Sequence, residues 1–204
     1  MDYKVHILEA AIELFKKQGI RNVTMDDIAR NLGMSKRTIY EYYANKEDLI
    51  CDYIKKQSEK HREINITILK NTSNVMELLF YFLKKDCMDE NRTQLNNIIE
   101  IKRYYPKIFA SEIMPYLDCR VDTLKEILEK GQDEGVVRKD INVGLISKIF
   151  TTQMDDFVNR HFENDDYELE EVFKAVFINF MRGISTLKGY EIIDRLLLKT
   201  DNYN

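Results

Sequence analysis

Between Val23 and Lys46 the chain carries three helix-start signals and one stop, and this spacing constrains the fold more than any other stretch. Thr24 is an N-cap residue, and Asp27 three positions later completes a capping box. Val23 before the cap and Ile28 after it form a hydrophobic staple. Gly33 accepts a left-handed backbone and ends that helix after about two turns. Ser35 caps a second helix, with Met34 and Ile39 at the staple positions, and Asn45 caps a third, with Asp48 at its N3 position. Two short helices joined by a tight turn, followed at once by another helix start, make a helix-turn-helix pattern.

The charges within this stretch separate scaffold from function. Asp26 and Asp27 occupy the first turn of the first motif helix, where the helix dipole favours acids. Lys36 and Arg37 occupy the first turn of the second, where it disfavours cations by a few tenths of a kcal/mol each. A local inconsistency of this kind is expected where function overrides stability. A helix whose exposed N-terminus carries Lys36, Arg37 and Thr38 suits the DNA major groove: Arg or Lys donates to guanine O6 and N7, and Thr meets a thymine methyl. Which of Lys36 and Arg37 reads a base is open at this stage. Tyr40, Tyr42 and Lys46 follow at spacings that reach phosphate oxygens, which position a protein without reading sequence.

The runs Thr24-Met25-Asp26-Asp27-Ile28-Ala29, Gly33-Met34-Ser35, Thr38-Ile39-Tyr40 and Tyr43-Ala44-Asn45-Lys46-Glu47-Asp48-Leu49 resemble the N-terminal domain of TetR-family transcriptional regulators. The departures are mild. Met34 stands where the family pattern has Val, and Tyr43 where it has Phe. The motif resemblance covers about residues 5–50. It implies an all-α protein: an N-terminal three-helix helix-turn-helix domain, then a larger C-terminal helical domain for ligand binding and dimerisation, about nine to ten helices in all. The expected division is residues 1–48 and 49–204. By position, the resemblance implies a DNA-binding set of Thr24, Ser35, Lys36, Arg37, Thr38, Tyr40, Tyr42 and Lys46, with Ser35 as the cap and Thr24, Tyr40, Tyr42 and Lys46 on phosphates.

Composition agrees with a helical chain. Two prolines and seven glycines in 204 residues, with 32% charged residues, leave few breaks. Net charge is −4, which by itself argues against a nucleic-acid partner, but its distribution answers this. Residues 1–46 hold eight Lys/Arg against six Asp/Glu, a local +2, and the remainder holds 23 against 29, a local −6. A basic face on an acidic protein still supplies phosphate contacts, and the acidic bulk disfavours indiscriminate coating of DNA. Cys51, Cys87 and Cys119 are odd in number and far apart, so buried structural thiols in a reducing cytoplasm are expected. Neither a signal peptide nor a membrane span is expected. His6, His61 and His161 are widely separated, and no phosphate loop or nucleophile motif occurs. The chain reads as a non-enzyme, with no cofactor and no metal.

Along the chain, residues 3–18 form a helix with Val5, Leu8, Ala11, Ile12 and Phe15 on its apolar stripe. A long helix runs from Lys46 to about Leu69, and a buried helix follows over about 75–87. Another covers 93–104. Pro106 and Pro115 bound a short irregular segment, and the next helix starts near Pro115 and is ended by Gly131 and Gly135. Asn142 caps a helix to about His161, a second follows over 167–187, and a final one covers about 190–199.

In the family it resembles, two adjacent late helices dock against a partner subunit as a four-helix bundle. Carried here, the helices near 143–161 and 167–187 form a homodimer interface centred on Phe173, Val176, Phe177 and Phe180. Residues 75–160 are dense in large adaptable side chains: Phe82, Met88, Tyr104, Tyr105, Phe109, Met114, Tyr116, Phe150, Met154 and Phe157. They suit either a packed core or a partly polar pocket, since a buried Tyr needs a hydrogen-bond partner. The resemblance implies a pocket for an apolar or aromatic effector. The expected partners are therefore double-stranded operator DNA, a second copy of the chain and a small-molecule effector, with a homodimeric repressor as the leading reading. A regulator of the same fold without a small ligand, controlled by a protein partner or constitutive, stands beside it.

Overall fold

The computed structural model describes residues 2–86, 89–161, 171 and 173–201, excluding the side chains of 85–86, 89–95, 116–118, 154–161, 173–174 and 200–201. The described residues are helical, with one isolated antiparallel bridge between Val137 and Ser185. In chain order the α-helices are α1 (Tyr3–Gln18), α2 (Met25–Leu32), α3 (Lys36–Tyr42), α4 (Lys46–Asn71), α5 (Val75–Asp86), α6 (Asp89–Tyr104), α7 (Pro106–Ile108), α8 (Met114–Asp133), α9 (Val143–His161), α10 (Asn179–Ile184) and α11 (Leu187–Asp201). Two π-helical stretches, Phe109–Ile113 and Phe173–Ile178, lead into α8 and α10. No helix of the described residues is long and apolar enough to cross a membrane.

Packing divides the chain into two compact units, one of residues 1–62 with 92–116, the other of 63–91 with 117–204. The expected cut at 48/49 follows the motif; the packing does not follow that cut. The first half of α4 belongs with α1–α3 because Leu49, Ile50, Tyr53 and Ile54 are buried there, with the Tyr53 ring edge-on to Phe15 at 5.4 Å. The C-terminal part of α6 belongs there too, since Asn97 donates to the Tyr53 hydroxyl at 3.0 Å and Glu100 accepts from the Arg21 amide at 2.8 Å.

In the N-terminal unit, Ile7, Ala11, Phe15, Ile20, Val23, Ile28 and Ile39 are buried. The α1 stripe is buried at Leu8, Ala11, Ile12 and Phe15 as expected; it is wider than expected, since Ile7 and Leu14 are also buried, and Val5 alone falls off it at 43% exposed. The region between the prolines is not irregular. α7, the π stretch and α8 run on without a break, and Pro115 lies inside α8. Proline at 115 removes a donor and crowds the carbonyl four residues back, at Ser111. The backbone is wider there, and the Met114 amide donates to the Phe109 carbonyl five residues back.

The other unit has one core: Val75, Met76, Leu79 and Phe80 of α5, Leu128 of α8, Val136 and Val137, Phe177, Ile178, Met181 and Ile184, and Ile192, Ile193 and Leu196 of α11. The helix expected over 167–187 stops at Ile184, because Ser185 is extended and opposes Val137. The Arg138 amide donates to the Ile184 carbonyl at 2.9 Å, and the Thr186 amide to the Val136 carbonyl at 3.0 Å. Gly131, expected to end α8, is helical, and the helix ends near Gly135 at φ +71°. Gly131 is small for another reason. A Cβ there would stand 2.5 Å from Val137 Cγ2 and 3.0 Å from Val75 Cγ1. The thiols also depart from expectation: Cys119 is exposed, Cys51 is half-buried, and Cys87 lies outside the described residues.

Gly131→Ala will therefore lower stability by about 1–3 kcal/mol, the usual cost of overpacking, although Ala is the better helix former. A chemical-denaturation midpoint equal to or above that of the parent chain would contradict this packing.

Candidate nucleic-acid interface

The local signals of the motif all form. Thr24 Oγ1 accepts from the Asp27 amide at 3.2 Å, and the Asp27 carboxylate accepts in return from the Thr24 amide at 2.9 Å and its hydroxyl at 2.6 Å. Those bonds hold the Asp27 carboxyl below its ordinary value. Val23 and Ile28, the staple pair, are fully buried. Gly33 takes φ 63°, ψ 24°, and the Met34 amide reaches back to the Ala29 carbonyl at 3.0 Å. Ser35 Oγ accepts from the Thr38 amide at 3.1 Å, and Asn45 Oδ1 from the Asp48 amide at 2.8 Å. Each cap sets the start of a helix, so the turn between α2 and α3 is specified by side chains within it.

At the tip of α3 the two cations find different partners. Lys36 pairs with Asp26 at the start of α2. Arg37 donates from Nε to the Glu41 carboxylate at 3.3 Å, one turn along the same helix, and its side chain is 91% exposed. The charge inconsistency read in the sequence is thus compensated by a carboxylate at each cation. Thr38 is half-buried, with its hydroxyl 2.9 Å from that of Ser35. Tyr40 and Tyr42 are exposed, and the Tyr42 ring lies 6.0 Å from Tyr3. Arg30 of α2, which the sequence reading passed over, is 79% exposed and 3.7 Å from Asp27. Its signal was present in the sequence: a cation in the last turn of the first motif helix.

Lys46 sits differently from the rest of the set. It is half-buried, its amine donates to the Arg21 carbonyl at 3.3 Å, and it lies 5.8 Å over the Tyr105 ring. Burial pushes its pKa down, against the charges of Glu100 and Asp27. Arg21 is held at three points: carbonyl by Lys46, amide by Glu100, and guanidinium by the Tyr104 hydroxyl at 2.8 Å, with Tyr104 on α6. The turn between α1 and α2 is therefore clamped by residues about 80 positions away, which no local pattern announces. Beneath it, Asn97 is 1% exposed; its amide nitrogen pairs with Tyr53, and its carbonyl oxygen has no partner among the described residues.

A second cluster, with only Tyr43 buried, ties α1, the end of α3 and α4 together. Lys4 pairs with Asp52 at 2.7 Å and lies 5.2 Å over the Tyr43 ring. The Tyr43 hydroxyl is buried without a hydrogen bond of good geometry, and burial, then the Asp52 charge, pushes its pKa well up.

The residues expected to line a pocket do not form one cluster within a unit. Tyr104, Tyr105, Phe109 and Met114 belong to the N-terminal unit, where Tyr104 and Met114 are 38% and 45% exposed. Phe82 and Phe150 belong to the other unit, both partly exposed. Met88 and the side chains of Tyr116, Met154 and Phe157 lie outside the described residues. Of the expected interface, Phe177 is 9% exposed within the core, 5.9 Å from the Phe150 ring, and Phe180 stacks on Phe150 at 3.8 Å. Val176 is partly buried against the same core, and the Phe173 side chain lies outside the described residues. Among the described residues no group of three or more His, Cys, Asp or Glu is arranged to hold a metal ion.

Residues 7–51 match the family described as bacterial regulatory proteins, tetR family. The fatty acid metabolism regulator protein of Bacillus subtilis (strain 168) is 22% identical over 184 residues, covering 88% of this chain and 94% of that one. Among solved structures, a putative transcriptional regulator from Saccharomonospora viridis in complex with choline superposes with a TM-score of 0.79 at 19% identity, over 91% of this chain and 98% of that one. The ketosteroid transcriptional regulator KstR2 of Mycobacterium tuberculosis gives 0.62 at 17% identity, over 91% and 96%.

The Lys4–Asp52 pair makes a prediction about acid. Its hydrogen bond holds the Asp52 carboxyl below the ordinary value, with burial opposing. A folded value below the unfolded one contributes stability that is fully present above the unfolded carboxylate pKa of about 3.9 and is lost as pH falls through the folded value. Asp52→Asn will thus flatten the loss of stability below about pH 4, read as denaturation midpoint against pH. Parallel curves for the two proteins would remove Asp52 from the acid response.

Proposed function

We propose that the chain, as a TetR-family transcriptional regulator, acts as a homodimeric repressor that a small apolar or aromatic molecule releases from operator DNA. The observation that carries the DNA reading is the exposed cationic start of α3, set by its own caps on a buried three-helix scaffold. The local +2 charge of residues 1–46 supports the same reading. Lys36, Arg37 and Thr38 approach the bases, and phosphate contacts come from Thr24, Tyr40 and Tyr42, with Ser35 as the cap. Lys46 supports the site from beneath, by holding the Arg21 carbonyl.

A half-site contact alone is weak, and a two-fold dimer places two reading heads about 34–36 Å apart or a multiple of that. The second copy is proposed to pack on α9, where Leu145 and Ile149, one turn apart, are 55% and 44% exposed. Phe177 and Phe180 serve this face by holding it rigid from the core side, through Phe150.

The effector reading draws on two supports. The relatives include a regulator named for fatty acid metabolism and one named for ketosteroids, both apolar chemistries. Within the N-terminal unit, α6 carries the unpartnered Asn97 carbonyl and also Glu100 and Tyr104, which hold Arg21. An apolar molecule with one hydrogen-bond donor, satisfied by Asn97, shifts α6 and loosens that clamp. To lower DNA affinity a hundredfold, the molecule must prefer the loosened state by about 2.7 kcal/mol.

The test of the DNA reading is fluorescence anisotropy on the chain's own promoter DNA. The double variant Lys36→Ala, Arg37→Ala will bind at least tenfold more weakly, and unchanged affinity would sink the assignment. For the assembly, the parent chain will sediment as a dimer at micromolar concentration. Leu145→Lys with Ile149→Lys will yield a folded monomer, whereas Phe177→Asp will instead lose stability as a buried charge. A folded dimer carrying both lysines would move the interface elsewhere.

A further inference from the structure

The two cations at the tip of α3 are alike in sequence and unlike in structure. Lys36 spends its single ammonium on Asp26, a residue of the neighbouring helix. The Ser35 and Thr38 hydroxyls are engaged with each other and with the Thr38 amide. Lys36, held at Asp26, offers its remaining N–H groups only as a point charge, whereas Arg37 offers a fork: Glu41 takes its Nε, and neither terminal nitrogen has a partner among the described residues. Glu41, one turn along, is itself exposed. A carboxylate at Nε restrains the guanidinium, and its outer edge is left with two parallel N–H groups. That edge matches the O6 and N7 acceptors of guanine, which a lysine meets only as a point charge.

We infer that Arg37 reads a guanine in each half-site and that Glu41 is the positioning residue that orients it, while Lys36, anchored on Asp26, adds charge without reading sequence. This rests on the DNA-binding reading above and narrows it to a division of labour. Glu41 acts through Arg37 and through its own charge: a carboxylate beside the phosphate backbone opposes binding to sequences that offer Arg37 no guanine. Specificity then arises as a difference between two affinities, with a repulsive element built in.

The test uses the full-length chain and a random double-stranded DNA library, followed by affinities for the selected site and for the site changed at its guanine. The parent chain will enrich a half-site containing a guanine and discriminate against its replacement by about five- to hundredfold. Arg37→Lys will keep binding DNA but lose that discrimination, since it keeps the charge and loses the fork. Glu41→Gln will bind the guanine-less site more tightly than the parent does, which reduces the ratio from the other side. Lys36→Ala will weaken binding to both sites alike and leave the enriched sequence unchanged. Circular dichroism and thermal melts establish that each exposed-site variant is folded. Retention of the guanine preference by Arg37→Lys, its loss in Lys36→Ala, or an unchanged ratio in Glu41→Gln would overturn the assignment while leaving the DNA reading in place. A parent chain that enriches no sequence at all would overturn both.

Discussion

The reading head depends on how the turn between its first two helices is held. α2 and α3 are short, eight and seven residues, and helices of that length are marginal unless something outside them fixes their ends. Caps and a left-handed glycine supply the ends facing each other. The entry into α2 is fixed from farther away, where Arg21 is gripped at amide, carbonyl and guanidinium. Two of these three partners, Glu100 and Tyr104, lie on α6. The orientation of a surface made from residues 24–42 is thus under the control of a helix that begins at residue 89. Lys46 completes the arrangement: its amine is half-buried and holds the Arg21 carbonyl from the start of α4.

What was legible in the sequence was what the chain decides locally. Every cap between Thr24 and Asp48 forms as its spacing requires, because a capping bond spans three residues and the competing alternatives are few. The tip residues of the candidate site were legible for the same reason. The clamp on Arg21 was not, since its partners are 79 and 83 residues away and neither Glu100 nor Tyr104 differs from an ordinary helical surface residue in the sequence. Glycine and proline misled where tertiary packing overrode their usual meaning. Gly131 reads as a helix stop but is a place where Val137 and Val75 need room, and Pro115 does sit in the first turn of α8 but follows a widened helical turn where an irregular segment was expected. The aromatic positions were legible as apolar but not as core or interface. Phe177 and Leu145 differ in burial by which face of a helix they occupy, and both faces are apolar in the sequence.

The charge pattern deserves the same physical weighing. Cations at a helix start are a cost of a few tenths of a kcal/mol each, and each here is offset by a nearby carboxylate of the same motif. Such exposed pairs add little stability, about 0–1 kcal/mol. Their consequence lies in geometry: a paired cation has fewer orientations to lose when it takes up a further partner, so less of the binding free energy goes into ordering it.

The length of α4 carries a consequence of its own. Its 26 residues make a rod of about 39 Å at 1.5 Å per residue. On a rod of that length a tilt of about 5° displaces one end relative to the other by about 3 Å. The 3.3 Å hydrogen bond that Lys46, the first residue of that helix, donates to the Arg21 carbonyl does not survive a displacement of that size. Small angular changes in a stiff, long element therefore translate into the making or breaking of single bonds at its end, and a gear ratio of this kind needs neither unfolding nor a large motion anywhere along the shaft.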